Sequence, residues 1–233
     1  IIRARLTKMA RDKGVNLEVL LVRYALERLL YRLGQSKHRN RFILKGAMLQ
    51  TVWLEDPFRP TRDLDLLAHG DSEPEQVKAA FLEILAIESD DGVVFDMDDL
   101  TVEPIREQSD YGGLRVETTA RLASARTKIQ IDLGYGDAVT PEASEIDYPV
   151  LLDSPTPRIR ASSKETVVAE KLQAIVALGA TNGRMKDFYD LWMMSRHFTF
   201  DGALLARAVA ATFERRQTPI PEETPVGLSR EFA

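Results

Sequence analysis

The spacing of apolar residues mixes helical and alternating periods over the first two thirds of this chain and is helical in the last third, and that division limits the folds open to it. Val93–Phe95, Thr101–Ile105, Gly113–Ala123 and Lys128–Gly134 read as strands. In the last, Ile129 and Ile131 face one way while Lys128, Gln130 and Asp132 face the other, as in a half-buried strand. From Ser162 onward the spacing is helical. Ser162 with Glu165 forms a capping-box pattern that opens a helix running to Gly179, and further helices are expected over 186–196 and 201–216. Upstream, Leu17, Leu20, Leu21, Tyr24, Leu29 and Leu30 recur at helical spacing within residues 6–33, and Gly34 is expected to end that run. Phe42-Ile43-Leu44 is a short strand, 47–54 a helix, 63–68 a strand and 74–87 an amphipathic helix. Tyr148–Leu152 and Arg158–Ala161 are short strands around Pro155-Thr156-Pro157. An α+β fold follows, with a basic helical segment (1–41), an α/β core (42–161), a helical C-terminal part (162–217) and an irregular tail (218–233).

Charge is distributed unevenly. Residues 1–41 hold eleven Lys or Arg against Asp12, Glu18 and Glu27, whereas residues 71–110 hold thirteen acids against Lys78 and Arg106. A basic end on a chain of net charge -5 suits local contact with a polyanion such as RNA; two solvated helix faces are the plainer alternative. The chain has no cysteine and only His38, His69 and His197, which excludes disulfides and thiolate zinc sites and disfavours a histidine zinc site. No apolar run is long enough to span a membrane. A cytoplasmic protein is the expectation.

The densest passage chemically is Arg59-Pro60-Thr61-Arg62-Asp63-Leu64-Asp65. On a strand, Asp63 and Asp65 point to one face, and two carboxylates so placed repel unless a cation lies between them. Mg²⁺ suits such a pair, because it takes oxygen ligands from one or two carboxylates plus substrate phosphates; Mn²⁺ is an alternative. Asp132 could join them if its strand is a neighbour, completing the acid set of a two-metal phosphoryl-transfer site, or it could simply cap the next turn. Lys171 shares a helix face with Val167, Ile175 and Leu178, so it needs an anion, either a triphosphate or a carboxylate, unless it snorkels to solvent. Asp187 opens a helix whose dipole favours its charge, and Phe188, Leu191 and Trp192 are expected on the buried face. Arg184 and Lys186 are placed to reach phosphate or to pair with Asp190.

Taken together, Lys45-Gly46, Arg59-x-Thr61-x-Asp63-Leu64-Asp65, Ile131-Asp132-Leu133 with Gly136-Asp137, Glu170-Lys171-Leu172 and Arg184-x-Lys186-Asp187-x-Tyr189-Asp190-Leu191 resemble the AbiEii/AbiGii toxin family of nucleotidyltransferases, over roughly residues 40–196. The resemblance implies a nucleotidyltransferase-like mixed sheet with flanking helices and a helical C-terminal part. It also implies membership of toxin–antitoxin or phage-defence systems, with a cognate antitoxin, and similarity to the MenT toxins that add nucleotides to tRNA ends. It assigns metal binding to Asp63 and Asp65, and to Asp132 where the third carboxylate is kept. Lys171 becomes a nucleotide contact and Asp187 an essential aspartate, with Lys45, Gly46, Arg62 and Arg184 as further nucleotide-binding candidates. The first motif commonly reads Gly-Gly or Gly-Ser; Ala47 stands second here and offers no hydroxyl. The implied reaction is Mg²⁺-dependent transfer of a nucleotide from a nucleoside triphosphate to RNA, in particular a tRNA 3′ end. A protein hydroxyl as acceptor, or a catalytically silent partner-binding protein, are the alternatives. A haloacid-dehalogenase phosphatase is disfavoured because its Asp-x-Asp follows a buried apolar strand, not Arg-Pro-Thr-Arg.

Overall fold

The structure, a computed structural model, describes residues 1–54, 61–105, 112–230 and 232. Arg59 and Pro60 of the Asp-x-Asp passage, and Arg106, Glu107 and Asp110 of the acidic stretch, lie outside those residues. The chain forms two compact units, residues 1–136 with 145–161, and residues 137–144 with 162–233.

The first unit starts with α1 (Ile2–Lys13) and α2 (Leu17–Gln35). Gly14 ends α1 at φ 63, a left-handed conformation that glycine enters without a Cβ penalty. The Asn16 side chain then caps α2 by accepting from the Glu18 N–H. Strand β1 (Phe42–Lys45) leads through a 3₁₀ turn at Gly46–Leu49 into the short α3 (Gln50–Trp53). After it come β2 (Asp63–Ala68), α4 (Pro74–Leu85), β3 (Val93–Phe95), β4 (Thr101–Ile105), β5 (Gly113–Leu122), β6 (Ala125–Tyr135), β7 (Ser144–Asp147) and β8 (Arg158–Ala161). Among the described residues, eight strands join one sheet in the order β3-β5-β6-β2-β1-β8-β7, with β4 also paired to β5. The sheet is mixed: β2 is parallel to β6 and β1 to β8, while β1–β2 and β5–β6 are antiparallel. The fold is α+β.

Alternation fixes which side of the sheet is dry. Leu44, Leu64, Leu66, Val116, Ile129, Ile131 and Leu133 are buried, and Phe42 meets Phe81 of α4 edge to face at 5.6 Å. Each such side chain contributes about 1.5–3 kcal/mol through burial. Helix α2 supplies the matching apolar face with Leu26, Leu29, Leu30 and Leu33. Segment 1–41 therefore helps to form this core, and two of its eleven cations lie inside it. Arg32 makes two bonds to the buried Asp91 (2.6 and 3.2 Å) and one to the Val93 carbonyl. Arg28 is fully buried beside Glu27 and donates to the Pro155 carbonyl. The surface cations of α1 are partly matched too, Arg5 by Asp153 and Lys8 by Asp12.

Several expectations need correction in this unit. Gly34 lies within α2, where β8 comes so close that a Cβ would sit 2.5 Å from the Arg158 carbonyl oxygen; the glycine serves that approach and does not end the helix. Residues 148–152 form no strand. The pairing at that end of the sheet comes instead from β7, four residues earlier, which leaves Tyr148 buried and the Leu151 N–H bonded to Glu27.

The second unit contains α5 (Lys164–Leu178), α6 (Met185–His197) and α7 (Gly202–Arg215). The cap of α5 is Ser163, whose hydroxyl accepts from the Thr166 N–H at 3.1 Å, one residue later than the Ser162–Glu165 pattern suggests. Asp201 caps α7 through the Leu204 N–H. Val167, Ala169, Ile175, Met194, Ala208 and Phe213 form the interior. The tail is not wholly irregular: a 3₁₀ turn at Val226–Leu228 seats Gly227 against Ile175, and Phe188 stacks on Phe232 at 5.3 Å.

Candidate active site

At the centre of the sheet the register gathers charge into one row. Lys45 of β1 lies opposite Asp65 of β2, Asp65 opposite Asp132 of β6, and Asp132 opposite Arg115 of β5. The next row on the same face pairs Asp63 with Gln130, and Gln130 with Glu117. These side chains are half-buried, whereas Leu64, Leu66, Ile131 and Leu133 between them are fully buried. The apolar residues have thus chosen the dry face and left the acids on the wet one. Asp63 and Asp65 share that face, as their spacing requires.

Gly46 explains the Lys-Gly pair physically. Its φ is 72, and a Cβ there would lie 2.1 Å from Asp65 Oδ2. Backbone can back onto that carboxylate only where no side chain intervenes. Ala47 is not among the described residues with positive φ; Gly46 alone makes the left-handed turn, so alanine at 47 carries no backbone strain.

Asp132 is held already. Arg115 grips it through two parallel bonds, Nε at 2.8 Å and the terminal nitrogen at 2.9 Å, and the Gln130 amide lies 3.3 Å from both oxygens. Reading the sequence for acids passes over Arg115. A signal for it exists, because a two-residue turn at Ala123-Ser124 pairs Leu122 with Ala125, and counting back from there sets Arg115 against Asp132. Arg62 reaches toward Glu18 at 3.5 Å, both exposed.

Oxygen donors on one face, with a glycine clearing space against Asp65, fit a hard divalent ion such as Mg²⁺. Among the described residues no group of three His, Cys, Asp or Glu is placed to hold a metal. The protein therefore offers a pair of carboxylates, and water and phosphate oxygens would fill the other positions.

The second unit has its own polar cluster. Lys171 Nζ lies 2.7 Å from Asp187 and 2.9 Å from Asp190, and all three side chains are nearly inaccessible. Of the anions open to Lys171 from its spacing, carboxylates are those beside it, and it does not snorkel. Arg184, half exposed, approaches Asp187 at 2.8 Å. These ionic contacts turn Asp187, Asp190 and Met194 inward and rotate Trp192 outward, to 55 % exposure. Trp192 is thus not on the buried face, because a neutralised acid pair defines the inside of α6 in place of its aromatic residues.

Two solved structures share the fold. JHP933 from Helicobacter pylori aligns with a TM-score of 0.54 at 16 % identity, covering 84 % of this chain and 78 % of its own. A second H. pylori structure, of a protein proposed to be a nucleotidyltransferase, aligns with a TM-score of 0.53 at 16 % identity, covering 86 % and 82 %. No curated protein matches the chain in sequence. The sequence model of the nucleotidyl transferase AbiEii toxins of type IV toxin–antitoxin systems matches residues 28–232, nearly the whole chain. This chain belongs to the AbiEii family of nucleotidyltransferase toxins.

Proposed function

We propose that the chain transfers a nucleotide from a nucleoside triphosphate to an RNA hydroxyl, with a tRNA 3′ end as the foremost acceptor. The observation that carries this reading is the row Lys45–Asp65–Asp132–Arg115, with Asp63 beside it on the same face and Gly46 backed onto Asp65. Asp63 and Asp65 would hold Mg²⁺. When bound, the ion supplies charge neutralisation at the phosphates and lowers the pKa of a coordinated hydroxyl. The acceptor oxygen attacks the α-phosphorus, the bond to the β-phosphate oxygen breaks, and pyrophosphate leaves.

The chain's own residues contribute positioning and charge, which supply most of the catalysis in such reactions. Asp63 and Asp65 orient the hydroxyl through the ion they would hold, and its proton passes to solvent water. Lys45 and Arg62 are the cations of this unit assigned to phosphate oxygens, and Gly46 lets the backbone come close. Asp132, oriented by Arg115, would offer the ion the lone pairs that the guanidinium leaves open. Nucleotide contact by Lys171 and Arg184, and an essential role for Asp187, remain part of the proposal. The toxin–antitoxin setting of the family implies a cognate antitoxin. Among the described residues no helix is long and apolar enough to cross a membrane.

The test is to incubate the protein with Mg²⁺, each α-labelled triphosphate, and either total RNA or total protein. Label in RNA, abolished by chelation and by Asp65→Ala in a variant with an unchanged melting temperature, is the expected result. Label in protein alone would move the acceptor to a protein hydroxyl. No transfer to either would make the chain a silent partner-binding member.

A further inference from the structure

Helix α6 presents a second surface that the transfer chemistry does not use. Met185, Tyr189, Trp192 and Arg196 follow one another at i, i+4, i+7 and i+11, which places them along one side of the helix. Met185 is 54 % exposed, Tyr189 41 % and Trp192 55 %. The Tyr189 and Trp192 rings are 6.3 Å apart, tilted by 41°, and the Arg196 guanidinium lies 5.9 Å from the indole centre. Lys186 is exposed on the same helix, and Arg184 stands just before it. The only acids of α6, Asp187 and Asp190, are buried. Its solvent side is therefore aromatic and positively charged, with no negative side chain of its own.

We propose that this face of α6 is a stacking platform for single-stranded RNA, a reading that rests on RNA being the acceptor. Exposed rings offer every base a π-face, and stacking of this kind is tolerant of sequence. Cations at 186 and 196 match the phosphates that run beside the bases, and Arg over an indole adds cation–π attraction. An apolar protein partner would have to desolvate those cations. An acidic peptide would satisfy the cations while leaving two planar rings without a matching surface. Duplex RNA keeps its bases stacked inside and has no free π-face to offer.

Binding of a fluorescein-labelled oligoadenylate RNA, followed by anisotropy without triphosphate or metal, tests this. Trp192→Ala should weaken binding about tenfold, given what one aromatic–base stack contributes, and Trp192→Phe should restore most of it. Charge reversal at Lys186 and Arg196 should weaken binding and flatten its salt dependence. Trp192 is exposed, so these variants keep the fold, as circular dichroism would verify. Unchanged affinity in Trp192→Ala overturns the platform. So does displacement of the RNA by polyglutamate as readily as by unlabelled oligoadenylate, which would assign the face to an acidic protein. Asp65→Ala should bind the RNA normally while transferring nothing. Trp192-dependent binding without any labelling of RNA would leave the platform standing and sink the transfer reading; unchanged binding in Trp192→Ala together with full labelling would do the reverse.

Discussion

Lys171 and Gly46 each sit where a substitution acts through its neighbours. Lys171 is the cation that Asp187 and Asp190 share, with Arg184 also 2.8 Å from Asp187, and those two acids are 2 % and 0 % exposed. Lys171→Met would leave them buried without it, and uncovering buried charge costs about 3–5 kcal/mol. Urea unfolding should show a loss of that size, whereas Asp187→Asn, which removes one negative charge and keeps the shape, should lose less. An inactive Lys171 variant informs on nucleotide binding only if it is still folded under assay conditions. Gly46→Ala should fail differently. A left-handed alanine costs about 1–2 kcal/mol, and its methyl would collide with Asp65, so the carboxylate must turn away. The expected result is a modest fall in melting temperature with a loss of transfer approaching that of Asp65→Ala. Full activity in Gly46→Ala would separate the glycine from the acid.

Elements were legible in the sequence where apolar spacing or turn residues mark them. Strand β2 from Asp63 to Ala68, β3 and β4 follow directly from alternation and turn residues, and Lys45, Gly46, Asp63, Asp65 and Asp132 were all visible as residues. Their arrangement was not. Nothing local says that β2 pairs in parallel with β6, some seventy residues on, or that Asp65 falls opposite Asp132 and not one residue away. Register of that kind is set by the packing of both strands on a common core. Helix faces failed where burial was ionic: Lys171 and two acids fixed the orientation of α6, so Trp192 came outward against its hydrophobicity. Gly34 misled for a similar reason, since its role depends on a strand more than a hundred residues away. Gly34→Ala tests that contact. With Arg158 oxygen 2.5 Å from the new methyl, α2 and β8 must separate, and overpacking of this sort costs about 1–3 kcal/mol. A shift of that size in the urea midpoint, at constant slope, is expected; a gain in stability, as at an ordinary helix position, would contradict the close approach.

At the scale of the first unit, ionised groups in the core make stability depend on pH. Burial pushes the Glu27 carboxyl up from 4.5 to about 7, against the opposing pull of Arg28 and the Leu151 N–H. Between those values the folded chain keeps a proton that the unfolded chain releases. Glu27 thus lowers stability as pH rises from 4.5 to about 7, by at most about 1.4 kcal/mol per unit, and has no further effect above. Glu27→Gln should remove that slope, so the difference in unfolding free energy between variant and parent should widen from pH 5 to pH 7 in the variant's favour and then level off; a constant difference would place the proton elsewhere. The central charged row has a consequence in time. Its members come from residues 45, 65, 115 and 132, in four strands, and the pairing of β2 with β6 is the step that joins them. A ribosome adding about 5–20 residues per second needs roughly 4–17 s to travel from the first to the last. From residue 65 onward in that interval, Asp63 and Asp65 are already made while their partner strand is incomplete. The nascent toxin stays without its assembled row until Asp132 has been added.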